Sequence, residues 1–225
     1  MPRSKLTPAT EDYLRTIYSL EEDIQPVIAA RVADEVGVSA STMVSTLRRL
    51  QREGYIKVER RKEIKLTAEG REVAERILRR HFLIERFLTD LLGLDWVKAH
   101  QEAHRLEHAV SQEVEERLAK LLNDPITCPH GNLIPGKASP RKGKGVPLPA
   151  VSAGKEVELE CITEGGERDA RLLGFLQEHH LAPGAKFEVL EVAPSLGLIR
   201  LRASKSEFSL GIEAAKKLRV HLSSH

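Results

Sequence analysis

The sequence predicts a mainly α protein with a β-rich C-terminal part. Three observations carry that prediction. Apolar residues recur at helical spacing through most of the first 122 positions. A short alternating hairpin with a basic tip interrupts them. From about Val151 the period changes to strands broken by tight turns.

The first helix starts at Thr7 as N-cap with Pro8 at the first helical position. Ala9, Tyr13, Ile17 and Leu20 form its apolar stripe, with Asp12 at the edge. That carboxylate either favours the positive helix end or faces another element. Val27 to Val36 reads as a short amphipathic helix, stopped by Gly37 in a left-handed turn. Ser39 caps a helix from about Ala40 to Glu53. Tyr55–Glu59 and Ile64–Leu66 alternate around Arg60-Arg61-Lys62. Helix, turn, helix and basic hairpin is the order of a winged helix-turn-helix.

Its second helix offers Ser39, Ser41, Thr42 and Ser45, short hydroxyls that let a helix lie deep in the major groove. Arg48, Arg49 and Arg52 follow and can reach phosphate, as can Arg60, Arg61 and Lys62 at the wing tip. Ser39 to Lys65 carries eight Lys/Arg against three Asp/Glu, although the whole chain of 225 residues is only +2. The basic field is therefore local. With no Arg, Asn or Gln at the start of this helix, shape and methyl contacts should contribute more than direct base reading. Aromatic residues make up only 4%, which speaks against a base-stacking surface for single strands.

Thr67 opens another helix that runs to Leu92. His81 lies in its apolar stripe and Glu85 one turn on. Such a pair can hold a metal or can be a core histidine beside a surface acid. Asp95 to about Leu122 reads as one long helix. On it, His100, His104, Glu107 and His108 fall within an arc of roughly 100°. His100 and His108 are about 12 Å apart along such an axis, too far to share one ion. The stripe therefore implies two neighbouring sites, unless it is a solvated face with charges paired at i,i+4. His104-Arg105-Leu106-Glu107-His108 also spells the inverted zinc-peptidase motif, so a zinc metallohydrolase is the alternative reading. Carboxylates and imidazoles without thiolate favour Mn²⁺ or Fe²⁺. Cys128 and Cys161 show neither metal-ligand nor disulfide-framework spacing, which suits a reducing cytosol.

Five Pro and five Gly fall among residues 129–154, and 136–149 reads as a linker with a basic cluster, Arg141-Lys142-Gly143-Lys144. Beyond it, strands are expected at Glu156–Ile162, Lys186–Val192, Leu198–Ala203 and Phe208–Ile212. A helix is expected at Asp169–Leu181, in a small antiparallel barrel. No apolar run approaches bilayer length and no signal peptide opens the chain, so a cytoplasmic protein that does not enter membranes is expected.

Thr10-Glu11-Asp12-Tyr13-Leu14-Arg15-Thr16-Ile17-Tyr18, His81-Phe82-Leu83-Ile84-Glu85-Arg86, the Gly93-Leu94-Asp95 segment leading to the ligand stripe, and Gly131-Asn132-Leu133-Ile134-Pro135-Gly136 together resemble the diphtheria toxin repressor family of metal-dependent bacterial regulators. The resemblance implies a winged helix-turn-helix DNA-binding domain (1–74), a helical dimerisation and metal-binding domain (75–140), a linker (141–150) and an SH3-like domain (151–225). It implies a homodimer on a palindromic double-stranded operator. It also implies two metal sites per subunit: Asp12, His104, Glu107 and His108 in one, and His81, Glu85 and His100 in the other with help from the third domain. There the acidic ligand falls near Asp169, with Glu167 as a rival, and a family glutamine aligns with Leu172. Asp12 matches the manganese-responsive members, so Mn²⁺ is expected ahead of Fe²⁺, in a regulator that represses metal-uptake genes.

Overall fold

The computed structural model describes residues 6–23, 26–137, 145–204 and 206–223. The chain forms two compact units. One takes the chain up to His81 together with Leu106–Val110. The other takes Phe82–Arg105 and Ser111 onward.

The first unit contains α1 (Pro8–Asp23), α2 (Ala29–Val36), α3 (Ala40–Arg52), β1 (Ile56–Val58), β2 (Ile64–Leu66) and the start of α4 (Ala68–Arg86). Gly37 at φ 75° ends α2, and the Ser39 hydroxyl accepts from the Thr42 N–H at 3.2 Å to start α3. The two helices are thus held a tight turn apart, as a helix-turn-helix requires. Tyr13, Leu14, Ile17, Val32, Met43, Leu47, Leu50, Ile56 and Ile64 make the common core. Ala9 of the expected α1 stripe is exposed, and Leu14 is buried in its stead. The hairpin registers Ile56 with Leu66 and Val58 with Ile64. Its tip turns through Arg61 and Lys62 in left-handed conformations. Gly70 lets α4 touch the hairpin: a Cβ there would lie 2.0 Å from the Tyr55 carbonyl oxygen.

The second unit begins in α4, which closes in a wider π-helical turn over Phe87–Leu91. The expected single helix over 95–122 is corrected to two, α5 (Trp96–Leu106) and α6 (Gln112–Leu121). Ser111 is the reason. Its hydroxyl accepts from Val114 N–H at 3.3 Å, and Glu113 and Glu115 sit in the following turn, where the helix dipole favours them. Glu107 and His108 therefore occupy a corner after α5, and the uniform helical arc does not apply to them.

The C-terminal part holds β3 (Val146–Pro147), β4 (Lys155–Ile162), α7 (Glu164–Glu167), α8 (Ala170–Glu178), β5 (Lys186–Ala193), β6 (Leu198–Ala203), β7 (Ser206–Gly211), α9 (Ile212–Ala215) and β8 (Leu218–Leu222). The antiparallel sheet has the order β3-β8-β4-β5-β6-β7. Val157, Leu159, Val189, Ile199, Leu201, Val220 and Leu176 fill its interior. The alternating β8 was missed in the sequence, and Ile212 begins α9 and does not extend β7. Part of the expected linker is structured. Val146 pairs with Val220, and Leu148 is fully buried. The basic cluster 141–144 lies outside the described residues. Among the described residues no helix is long and apolar enough to cross a membrane.

Candidate metal centres and nucleic-acid interface

On α3 and the wing, Ser39, Ser41, Thr42, Ser45, Arg48, Arg60, Arg61 and Lys62 are all exposed. The three hydroxyls at the helix start bond to one another, with Ser39 2.9 Å from both Ser41 and Thr42. Arg49 differs. It is half-buried and donates to the Thr10 hydroxyl at 3.1 Å and to Glu53 at 3.4 Å, so it braces α3 against α1.

Within the first unit, Asp12, Glu107 and His108 each bring a ligand atom within 4.8 Å of the others. His108 Nε2 lies 3.2 Å from Asp12 Oδ1 and 3.4 Å from Glu107 Oε1. His108 Nδ1 is 2.8 Å from Glu11. In the tautomer with the proton on Nδ1, that carboxylate accepts the ring N–H and Nε2 offers its lone pair toward Asp12 and Glu107. Glu107 is fully buried. Arg15 Nη1 donates to its two oxygens at 3.1 and 3.0 Å, and His81 Nδ1 stands 2.5 Å from Oε2. Asp12 Oδ1 is buried without a hydrogen bond. A buried carboxylate oxygen with no donor, facing an imidazole lone pair and a second carboxylate, fits a divalent cation. His104 is exposed on the last turn of α5, three residues before Glu107 and four before His108.

The second unit holds a further cluster. Glu85, fully buried on α4, is 2.8 Å from His100 Nδ1 of α5. Glu167, at the end of α7 and 1% exposed, brings Oε2 to 3.7 Å from the same nitrogen. His130 Nδ1 stands 3.4 Å from Glu85 Oε2 and 3.3 Å from Glu167 Oε1. The Cys128 thiol donates to Glu167 Oε1 at 3.5 Å. Neither ring nitrogen of His130 nor Glu167 Oε2 makes a hydrogen bond.

Asp169 is elsewhere. It caps α8 by accepting from the Leu172 N–H at 3.1 Å and pairs with Lys217 at 3.1 Å, which holds its carboxyl below the usual range against the opposing effect of burial. The acidic residue that the third domain brings to the cluster is its rival Glu167, and Leu172 is core. Cys128 and His130 were passed over in the sequence. Their one sign was a cysteine and a histidine two apart beside the turn-forming Gly131-Asn132.

Burial by itself would lower the His130 imidazole, but the carboxylates of Glu85 and Glu167 outweigh it and hold the ring well above its ordinary range. Burial, reinforced by Glu167, pushes the Cys128 thiol up to about 12. A pKa raised on folding stabilises the fold in full below the unfolded value, about 6.5 for imidazole. That stability is lost as pH climbs through the raised folded value. Metal-free protein should therefore lose stability from mildly acidic to mildly alkaline solution, and His130→Asn should flatten the slope in urea titrations. An equal slope in the variant would refute this origin. Any cation that bound here would have to displace these protons, so its affinity should rise with pH over the same interval.

The inverted-peptidase reading does not survive. An activating glutamate must reach a water at an open coordination position. Glu107 is instead fully buried and committed to Arg15 and His81.

A winged helix-turn-helix with an exposed hydroxyl and basic face, in a chain that also holds buried carboxylate–imidazole clusters, defines a metal-dependent DNA-binding regulator. The comparisons agree. Residues 5–64 match the profile of the iron dependent repressor N-terminal DNA binding domain, and residues 67–136 that of its metal binding and dimerisation domain. Residues 146–222 match the FeoA domain. The chain is similar to the iron-dependent repressor IdeR of Mycobacterium leprae, 36% identical over 225 residues that cover 96% of this chain and 97% of that one. It is also similar to the diphtheria toxin repressor of Corynebacterium jeikeium, 46% identical over 131 residues, which are 58% of this chain and 55% of that one. Among solved structures, a manganese-dependent transcriptional repressor in complex with manganese superimposes with a TM-score of 0.84 at 30% identity, covering 95% of this chain and all of that one. The manganese regulator SloR gives 0.79 at 29% identity, covering 97% and 100%. The chain belongs to the diphtheria toxin repressor family of iron- or manganese-dependent transcriptional repressors, with the family's DNA-binding, dimerisation and SH3-like parts, and it is not an enzyme.

Proposed function

We propose that the chain is a cytoplasmic repressor of metal-uptake genes. On this reading it binds a palindromic operator as a homodimer when a divalent cation joins α1 to the corner after α5. The first site uses Asp12, His104, Glu107 and His108. The second uses His81, Glu85, His100 and Glu167, giving two sites per subunit. Residues 1–74 bind DNA, 75–140 dimerise and carry most ligands, 141–150 connect, and 151–225 form the third domain. Oxygen and nitrogen donors at the first site favour Mn²⁺ over softer ions, with Fe²⁺ as the rival.

The observation that carries this reading is Asp12. Its Oδ1 is buried without a hydrogen bond, 3.2 Å from His108 Nε2, on the helix that opens the DNA-binding unit. The cation supplies a positive charge that joins these carboxylates and imidazoles. The protein residues hold their lone pairs toward it: Glu11 orients His108, and Arg15 with His81 keeps Glu107 in place. Fixing α1 fixes the recognition helices, which must lie about 34 Å apart, or a multiple, to read two half-sites together. Metal and operator then strengthen each other reciprocally, by roughly 5–150-fold for an ordinary coupling.

The test is a gel shift on the chain's own promoter with Mn²⁺, with Fe²⁺ and without metal. Parent protein should bind more tightly with metal, and Mn²⁺ should act at the lower concentration. Asp12→Ala should remain a dimer and lose most of the stimulation. Equal metal-stimulated affinity in variant and parent would remove Asp12 from the mechanism.

A further inference from the structure

The outward face of α3 carries an apolar side chain among its hydroxyls and arginines. Met43, Thr46, Leu47 and Leu50 turn into the core. The opposite stripe holds Ser41, Val44, Ser45 and Arg48, all exposed. These positions are three and four residues apart, so they share one surface. Val44 stands in the middle of it, 45% exposed. The surface belongs to the helix that a helix-turn-helix lays in the major groove.

The hydroxyls around Val44 keep little for reading bases. Ser39 Oγ lies 2.9 Å from the hydroxyls of both Ser41 and Thr42, and each of those contacts uses one O–H proton. Ser45 gives its proton to the Thr42 carbonyl at 2.8 Å. Three of the four hydroxyl protons are thus engaged within α3 and its cap. The lone pairs that remain meet the amino group of adenine or of cytosine alike. Thymine, by contrast, is marked in the major groove by its C5 methyl group, which an apolar side chain can recognise. A valine in a helix holds one rotamer about 90% of the time, so its methyl groups are placed before DNA arrives. A lone exposed valine elsewhere would need no explanation. Here alanine would serve the helix better, and the valine occupies the centre of the groove-facing stripe.

We propose that Val44 is a specificity-determining residue of this regulator, its isopropyl group packing on the methyl of one thymine in each operator half-site. The proposal deepens the operator-binding reading above and rests on it. The small side chains of Ser41 and Ser45 flank Val44 and let the helix approach to carbon–carbon contact. Arg48, one turn after Val44, reaches toward phosphate and holds the helix in register. Burying one methyl group in this way is worth about fourfold in affinity. The two half-sites of a dimer multiply that to roughly fifteenfold. Discrimination on this face therefore comes from an apolar contact, with the hydroxyls serving to shape the helix.

The test uses the full chain to select sites from a random duplex pool, with Mn²⁺ and separately with Fe²⁺, and then measures affinity for the enriched duplex by fluorescence anisotropy. Replacing its thymines one at a time by deoxyuridine removes the methyl group and leaves the base pair intact. In the parent, one such position per half-site should weaken binding about fourfold. Val44→Ala should bind the thymine duplex more weakly by about the same factor and lose most of its sensitivity to deoxyuridine at that position. Val44→Thr, which keeps one methyl group, should retain part of it. Val44 lies outside the core, so circular dichroism and Mn²⁺ titration of both variants should match the parent. A parent indifferent to every deoxyuridine, or equal losses in parent and Val44→Ala at every position, would overturn the assignment and leave metal-stimulated operator binding standing. A pool that enriches no duplex with either metal would take down the operator reading and the assignment together.

Discussion

Arg15→Met should destabilise the metal-free protein by about 3–5 kcal/mol, the usual penalty for breaking a buried ion pair from one side. Arg15 is 5% exposed, and its Nη1 bridges both oxygens of a fully buried Glu107 while lying 3.3 Å from His81 Nδ1. Methionine fills similar space without the charge, so packing is largely kept and electrostatics dominates the loss. His81, 2.5 Å from Glu107, can take up a proton and recover part of it. Urea unfolding of parent and variant, with and without saturating Mn²⁺, measures the effect. Because the first site is expected to seat a cation against Glu107, added Mn²⁺ should narrow the gap. A metal-free difference under about 1 kcal/mol would show that Glu107 does not depend on Arg15.

Gly131→Ala should be nearly as damaging and should act on the second unit. Gly131 sits at φ 90°, a conformation that L side chains rarely adopt, and an added Cβ would lie 2.2 Å from the Glu160 carbonyl oxygen and 3.0 Å from Cys161 Cα. Strain of this kind costs roughly 1–3 kcal/mol, and forcing backbone apart adds about as much again. The neighbours fix the consequence. The His130 carbonyl accepts from Ile162 N–H at 2.9 Å, and Asn132 Nδ2 donates to the Ile162 carbonyl at 2.6 Å and to Glu167 at 2.5 Å. Pushing the turn away from β4 therefore separates Cys128 and His130 from Glu167. Thermal unfolding should show a Tm below that of the parent. Gly154→Ala is the control, with φ 77° but open space around the new Cβ, and it should cost only about 1 kcal/mol. Comparable losses in both variants would mean that the close approach at Gly131 is unimportant.

The order of helices and hairpin was legible because local signals mark each boundary. Pro8 begins α1, Gly37 and Ser39 frame the turn, and a basic tip separates two alternating strands. Asp12, Glu107 and His108 were legible as candidates from residue type and from the resemblance. The break after Leu106 was also written locally, in Ser111 and the acids that follow it. It was overlooked because the apolar period continues across the corner.

Other features have no local sign. Nothing local on α1 marks Arg15, which becomes a buried counter-ion only because Glu107, 92 residues on, arrives beside it. Asp169 and Glu167 are both acidic and two apart. Capping of α8 claims one, and burial at the end of α7 delivers the other to His100 and His130.

The sequence by itself determined the helix-turn-helix, the basic wing, the strand-rich third part and the residue types able to hold a divalent cation. These depend on period, caps and side-chain chemistry, which act within a few residues. Only the tertiary structure decided which carboxylate meets which imidazole, that Cys128 and His130 belong with Glu85 and Glu167, and that Arg15 stands against Glu107. Those choices follow from the desolvation of charges brought together across the chain. A buried charge is tolerated only where the fold supplies its partner.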